Sequence, residues 1–327
     1  MQTVPVIDLA PARAGGRAAD AVATLVGSAC AEVGFFQVTG HGMPPHLLTE
    51  LFSVTRRFFA LSPDRKARVA QPAPDQVRGW SGVGSEGITY SLDEESPADL
   101  KEKFDIGPVD VPQNTGAGVA VGPHLAPNLW PRELPEMRGP WEAAHRHMSR
   151  VSAELMRCAA MALGLPADTF EPRFDRAVSM LRGLYYPDQP EPPLPGQMRA
   201  GIHSDYGAFT LVTAEARPGG LQVLDRGGEW VDVPVIPGAL MVLVGDLLTE
   251  WTGDQWPATL HRVVNPRRDL AMDCDRLAFA FYSHPNHDSP LDVLPGLPGG
   301  GVPPPGTPTA GEHLREKYLR QTSFGAG

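Results

Sequence analysis

A chain of 327 residues with 38 acidic against 28 basic side chains, a formal net charge of −10, is a poor match for a polyanion, so no nucleic-acid partner is expected. With 42% hydrophobic and 20% charged residues it can bury a sizeable core and lacks the composition of a disordered chain. Its 35 Gly and 35 Pro follow no Gly-X-Y period, which points to many turns around short elements.

The N-terminus has neither a basic start nor a long apolar stretch and does not read as a signal peptide. Residues 4–9 alternate like a short edge strand, and residues 17–33 place Ala, Val and Leu at helical spacing until Gly34 ends the pattern. Residues 35–39 read as a second strand, and residues 44–59 as an amphipathic helix opened by Pro44. Ser62, Pro63 and Asp64 start a further short helix. Residues 71–129 are rich in Pro, Gly and acids with little periodicity and read as long loops over a scaffold. Residues 133–165 carry the strongest helical pattern, with Gly139 and Pro140 marking a point where it can break. His145 and His147 lie two apart on that helix, point in different directions and are expected to face solvent.

After Pro166 short apolar stretches recur at roughly ten-residue spacing, the pattern of a sandwich or barrel. The candidate strands are residues 178–186, 201–203, 208–214, 220–224, 230–233, 239–244, 258–264 and 277–283. Helices come first and strands second, which predicts an α+β protein with a mainly β core. Residues 1–165 would form a helical and loop region packed on a jelly roll of residues 166–327, the two making one integrated unit. The longest apolar runs, such as residues 238–244, fall far short of the roughly 20 residues of a membrane helix, so no membrane partner is expected. Residues 294–308 read as a Pro/Gly-rich loop and residues 311–321 as a last helix; there is no internal repeat.

His203 and Asp205 are two positions apart, so on a strand both project to one face. With His261 far downstream they could form the two-imidazole, one-carboxylate triad that leaves adjacent Fe(II) positions open for a bidentate co-substrate and O2. The spacing alone leaves them open as ordinary polar residues at strand ends. Cys30, Cys158 and Cys274 are odd in number and scattered, which fits reduced thiols in a cytoplasmic protein, and no Cys-x-x-Cys or local Cys/His signature supports a thiolate nucleophile. No phosphate-binding or dinucleotide fingerprint is present. His284 and His287 either border a pocket or belong to a loop.

Several motifs surround these residues in a characteristic order: Val4 to Leu9, Gly34 to Gly42, and Asp99-Leu100-Lys101-Glu102-Lys103-Phe104-Asp105-Ile106-Gly107. His203-Ser204-Asp205-Tyr206-Gly207, Gly219-Gly220-Leu221, Gly245-Asp246 and His261-Arg262-Val263 follow. Nearly end to end, the chain resembles the isopenicillin N synthase-like branch of the 2-oxoglutarate and Fe(II)-dependent oxygenases. The resemblance implies a double-stranded β-helix (jelly roll) flanked by N-terminal helices, with His203, Asp205 and His261 as catalytic Fe(II) ligands. It also implies that Arg276 holds the far carboxylate of 2-oxoglutarate through its guanidinium fork, with Tyr186 as a further carboxylate-binding residue. The usual Arg-x-Ser hydroxyl is absent because position 278 is Ala, and Leu184 stands where many plant members have Asn.

By resemblance, the activity is a dioxygenase reaction: O2 and 2-oxoglutarate are consumed at Fe(II), succinate and CO2 form, and a C–H bond of a small-molecule substrate is hydroxylated, desaturated or closed into a ring. Specificity is expected in residues 78–92 and after Pro285. High Ala, Arg, Gly and Pro suggest a GC-rich bacterial source and specialised metabolism. Two alternatives stand beside it. One is an oxidase like isopenicillin N synthase that needs no 2-oxoglutarate; the other is a non-catalytic jelly roll that binds a small ligand.

Overall fold

In the computed structural model, residues 4–92, 94, 96–110 and 122–322 are described; residues 1–3 of the N-terminal segment, and residues 93, 95 and 111–121 of the expected loop region, lie outside them. The strands are β1 (Val6–Asp8), β2 (Phe35–Thr39), β3 (Gly79–Ser81), β4 (Glu102–Ile106), β5 (Met180–Tyr186), β6 (Ala200–His203), β7 (Phe209–Ala214), β8 (Leu221–Leu224), β9 (Trp230–Asp232), β10 (Leu240–Val244), β11 (His261–Val263) and β12 (Arg276–Tyr282). The helices are α1 (Gly16–Glu32), α2 (Pro45–Phe59), α3 (Pro63–Lys66), α4 (Arg138–Ala162), α5 (Glu171–Phe174), α6 (Asp246–Thr252) and α7 (Ala310–Thr322).

Two sheets result. The larger has the order β1-β2-β10-β7-β12-β5-β4-β3, and the smaller β6-β11-β8-β9. Strand alternation divides the side chains of β12 between two cores. Leu277, Phe279 and Phe281 join Trp141, Met148 and Leu155 of α4 in an outer core under the helices, whereas Ala278 and Ala280 join Leu184, Val223 and Val263 between the sheets. Each fully buried Phe or Leu of the outer core contributes roughly 1.5–3 kcal/mol relative to exposure. The inner layer carries smaller residues on β12, which leaves room between the sheets. This is the jelly-roll architecture expected from the sequence.

Three expectations change. Residues 71–129 are not only loops, because β4 pairs antiparallel with both β5 and β3 inside the main sheet. The helix of residues 133–165 begins at Arg138 and runs unbroken to Ala162. Gly139 and Pro140 fall in its first turn, where a missing N–H leaves no helical hydrogen bond unmade. His145 and His147 do not face solvent: they are 5% and 8% exposed, and their Nε2 atoms lie 3.1 and 3.2 Å from the Ser179 and His41 carbonyls. The cause is that α4 packs against α1, α2 and the sheet together, so it has more than one buried face. No helix of the described residues is long and apolar enough to cross a membrane.

Candidate metal centre

β6 and β11 pair antiparallel with His203 directly opposite His261, and Asp205 lies in the turn just beyond β6. The three residues are 4–5% exposed, and their ligand atoms all lie within 4.8 Å of one another. Asp205 Oδ1 is 3.9 Å from His203 Nε2, and Oδ2 is 3.7 Å from His261 Nε2. His203 Nδ1 sits 2.8 Å from the Gly201 carbonyl and His261 Nδ1 2.9 Å from the Thr259 carbonyl. A carbonyl can only accept, so each Nδ1 carries a proton and each Nε2 is the ring nitrogen turned toward Asp205. Burial, and then the neighbouring His261, hold His203 well below the ordinary imidazole range, so it is a neutral donor. Asp205 Oδ2 is buried without a hydrogen-bond partner. Two imidazole Nε2 atoms and one orphaned carboxylate oxygen, all converging, form a donor set that fits a divalent cation such as Fe(II).

The turn carrying Asp205 is clamped through its backbone. Asp246 N–H donates to the Asp205 carbonyl (2.8 Å), Leu247 N–H to that of Gly207 (3.0 Å), and Gly245 N–H to that of Ala208 (2.8 Å). This packing demands glycine at 245, because a Cβ there would stand 2.4 Å from the Gly207 oxygen. The sequence pair Gly245-Asp246 therefore has a local role: it lets the start of α6 approach the ligand turn. The Asp246 carboxylate in turn lies 3.5 Å from both His313 and Lys317 of α7.

Arg276 and Tyr186 line the cavity that contains the three convergent residues, as do Ala278 and Leu184. Register places Arg276 opposite Tyr186 and Ala278 opposite Leu184 across β12 and β5. Arg276 is 3% exposed; its Nε donates to the Glu215 carbonyl at 3.0 Å, and its guanidinium carbon lies 5.9 Å from the Tyr186 ring centre. Burial lowers the Arg276 pKa and raises that of Tyr186; a guanidinium is not deprotonated in proteins and a raised phenol stays neutral, so a cation and a neutral hydroxyl face this end of the cavity. Such a pair suits a carboxylate.

Beyond Asp205 a second compartment is lined by Arg182, Tyr206, Tyr282, His284, Tyr318 and Gln321. Tyr206 donates to Gln321 Oε1 (3.0 Å), and the Tyr318 hydroxyl lies 3.3 Å from His284 Nε2. Arg182 is neutralised by Asp105, with Nε donating to Oδ1 at 2.7 Å. Of the two histidines that the sequence leaves open, His284 borders this compartment and is buried, whereas the His287 side chain is half exposed. Ile88, within residues 78–92, lines both compartments. The three cysteines are free and buried, and burial raises each thiol pKa, Cys158 to about 11, which leaves no thiolate nucleophile among them.

Sequence reasoning assigns no site role to Lys101 and Arg182, which line the cavity, or to Tyr318 and Gln321 of α7. Charged residues in an acidic stretch read as surface, and a polar terminal helix reads as a surface helix. The motif Asp99 to Gly107 is the one available signal. Asp99 Oδ1 accepts from Gly201 N–H at 2.9 Å and so tethers the strand that ends in His203.

Residues 4–133 match the family model described as the N-terminal region of a non-haem dioxygenase in morphine synthesis, and residues 177–285 match that of the 2OG-Fe(II) oxygenase superfamily. The chain is 30% identical over 321 residues to validamycin A dioxygenase of Streptomyces hygroscopicus subsp. limoneus, covering 97% of this chain and 86% of that protein. It is 32% identical over 278 residues to proline hydroxylase buaE of Petromyces alliaceus, covering 83% of each. A full-length Neurospora crassa protein, solved in complex with alpha-KG and thymine, superposes with a TM-score of 0.81 at 27% identity over 97% of this chain and 96% of that one.

Proposed function

This chain belongs to the 2OG-Fe(II) oxygenase superfamily, and from that premise we propose that His203, Asp205 and His261 are its catalytic Fe(II) ligands and that Arg276 and Tyr186 receive the distal carboxylate of 2-oxoglutarate. It is a 2-oxoglutarate-dependent dioxygenase, an oxidoreductase whose cofactors are Fe(II), 2-oxoglutarate and O2. The observation that carries the residue assignment is one cavity with the convergent His203, Asp205 and His261 at one end and the Arg276–Tyr186 pair at the other.

When bound, Fe(II), 2-oxoglutarate and O2 supply the power to oxidise a substrate C–H bond, with succinate and carbon dioxide as co-products. The chain binds, orients and excludes water. The Gly201 and Thr259 carbonyls hold both imidazoles in the metal-binding tautomer, and Asp205 supplies the one negative charge of the donor set. Leu221, Leu243 and Val263 give the cavity apolar walls that strengthen the charge interactions within it. Arg276 fixes the orientation of a bound dicarboxylate by two-pronged donation. Substrate would enter the compartment under α7, where Tyr206, Tyr282 and Tyr318 offer ring faces and hydroxyls.

The substrate we propose is a small molecule oxidised by hydroxylation, desaturation or cyclisation, in the setting of specialised metabolism. The relatives' names support this class, since they include a validamycin A dioxygenase and a proline hydroxylase. Residues 1–165 and 166–327 would act as one catalytic unit, because β1–β4 and β5 share a sheet. The test is iron-reconstituted protein with candidate substrates, scored for succinate and oxidised product. Equimolar succinate and product supports the reading. Product formed at full rate without 2-oxoglutarate would favour the substrate-only oxidase, and failure to bind Fe(II) or Mn(II) would favour a non-catalytic jelly roll.

A further inference from the structure

Position 278 offers a methyl and position 184 an aliphatic chain, so β12 and β5 provide fewer donors beside Arg276 than the resembled motif does. The next strand supplies one. β4 pairs with β5 so that Lys103 lies opposite Leu184 and Glu102 opposite Tyr185, and Lys101, one residue before β4, continues that register beside Tyr186. Arg276 lies opposite Tyr186 on the other side. Lys101, Tyr186 and Arg276 thus form one row across three strands, and all three line the cavity that holds His203, Asp205 and His261.

Lys101 is 4% exposed, and its Nζ lies 2.5 Å from Asp99 Oδ2 and 3.1 Å from Glu86 Oε1. An ammonium has three N–H donors, so at least one is not committed to these carboxylates. The surroundings are charge-balanced without a ligand. Glu86 pairs with Lys103 as well as Lys101, Asp99 pairs with Lys101, and Asp105 pairs with Arg182. Lys101 therefore brings a hydrogen-bond donor to the cavity and no unpaired charge, the contribution missing at position 278.

We propose that Lys101 is a co-substrate-binding residue whose remaining N–H donates to the distal carboxylate of 2-oxoglutarate, in place of the hydroxyl and amide absent at positions 278 and 184. The inference rests on Arg276 and Tyr186 marking the distal-carboxylate end of the cavity.

The experiment measures binding of 2-oxoglutarate and of 2-oxovalerate, which ends in a methyl in place of the distal carboxylate, to Mn(II)-loaded protein by calorimetry. Wild-type protein should prefer 2-oxoglutarate. Lys101→Met should weaken 2-oxoglutarate about ten- to a hundredfold, the loss expected for a hydrogen bond to a charged group, and leave 2-oxovalerate unchanged. Because Lys101→Met leaves Asp99 short of a counter-charge, the charge-balanced Asp99→Asn/Lys101→Met variant is measured beside it and decides the matter if the single variant does not fold. Equal losses for both ligands would show a structural role, and unchanged preference for 2-oxoglutarate would remove Lys101 from the site; either overturns the proposal. Arg276→Met separates this from the underlying reading, since an unchanged preference there would overturn the assignment of the cavity's distal end whatever Lys101 does.

Discussion

His203 and His261 face each other across β6 and β11 with ring centres 4.0 Å apart, and each donates its Nδ1 proton to the carbonyl two residues earlier in its own chain. The ring orientations are therefore set by backbone groups, and Asp205 is the one carboxylate of the donor set. That carboxylate is costly to bury alone.

Asp205→Ala should abolish succinate formation while the metal-free protein melts at or above the wild-type temperature, because a buried carboxylate oxygen without a partner has been removed. Added Mn(II) should raise the wild-type melting temperature and not that of the variant, since a ligand stabilises only the state that binds it. Thermal melts with and without metal check both halves. A variant that still turns over when iron-reconstituted would refute the ligand assignment.

Gly245→Ala should destabilise by about 1–3 kcal/mol, because the new methyl must displace the Gly207 carbonyl that lies 2.4 Å from its position. Displacing that carbonyl moves the Asp205 turn, so Mn(II) affinity should fall with stability. Urea denaturation and metal titration on the same sample measure the two effects.

Ala278→Ser should lower the KM for 2-oxoglutarate and barely change kcat at saturation, the pattern of added uniform binding. Position 278 is two residues from Arg276 on the same face of β12, so the hydroxyl enters the cavity beside the guanidinium. Arg276→Ala should do the reverse and more severely, as it leaves a buried carboxylate without its counter-charge. Steady-state kinetics with 2-oxoglutarate as the varied substrate read both.

Burial lowers the His145 pKa from 6.5 to about 4. Between those values the unfolded chain binds a proton that the folded chain does not. The contribution of neutral His145 is therefore complete above pH 6.5 and lost as pH falls through 4, a change on the order of 3 kcal/mol. Arg78 and Arg146 oppose protonation and Asp110 favours it, so the net direction holds. His145→Gln keeps a donor for the Ser179 carbonyl and cannot titrate, so its urea midpoint should fall less steeply between pH 6.5 and 4 than that of the wild type.

The β half of the fold is legible in the sequence because alternation and turn residues are local signals. Each of the eight strands expected after Pro166 overlaps an observed strand, and His203 and His261 lie at the strand ends that their spacing suggests. β4 is hidden for the opposite reason. Lys101, Lys103 and Asp105 look like solvent-facing charges until Glu86 and Arg182 are brought in from other segments to pair with them. Such compensation is a tertiary fact. His145 misleads likewise: its helix packs on several sides, and the groups that bury it are distant in sequence. The wall formed by Tyr318 and Gln321 depends on where a terminal helix docks, which no local pattern records.

The clamp on the Asp205 turn grips carbonyl oxygens, which every residue type possesses. The side chain at 206 can therefore change without loosening the hold on Asp205. Tyr206 reaches instead toward Gln321 of α7, on the side of the second compartment. The hold on Asp205 and the contact with α7 are thus written in different parts of the same short turn, one in the main chain and one in a side chain. Changes at position 206 together with 318 and 321 should therefore reshape the second compartment while the main-chain clamp on Asp205 is kept.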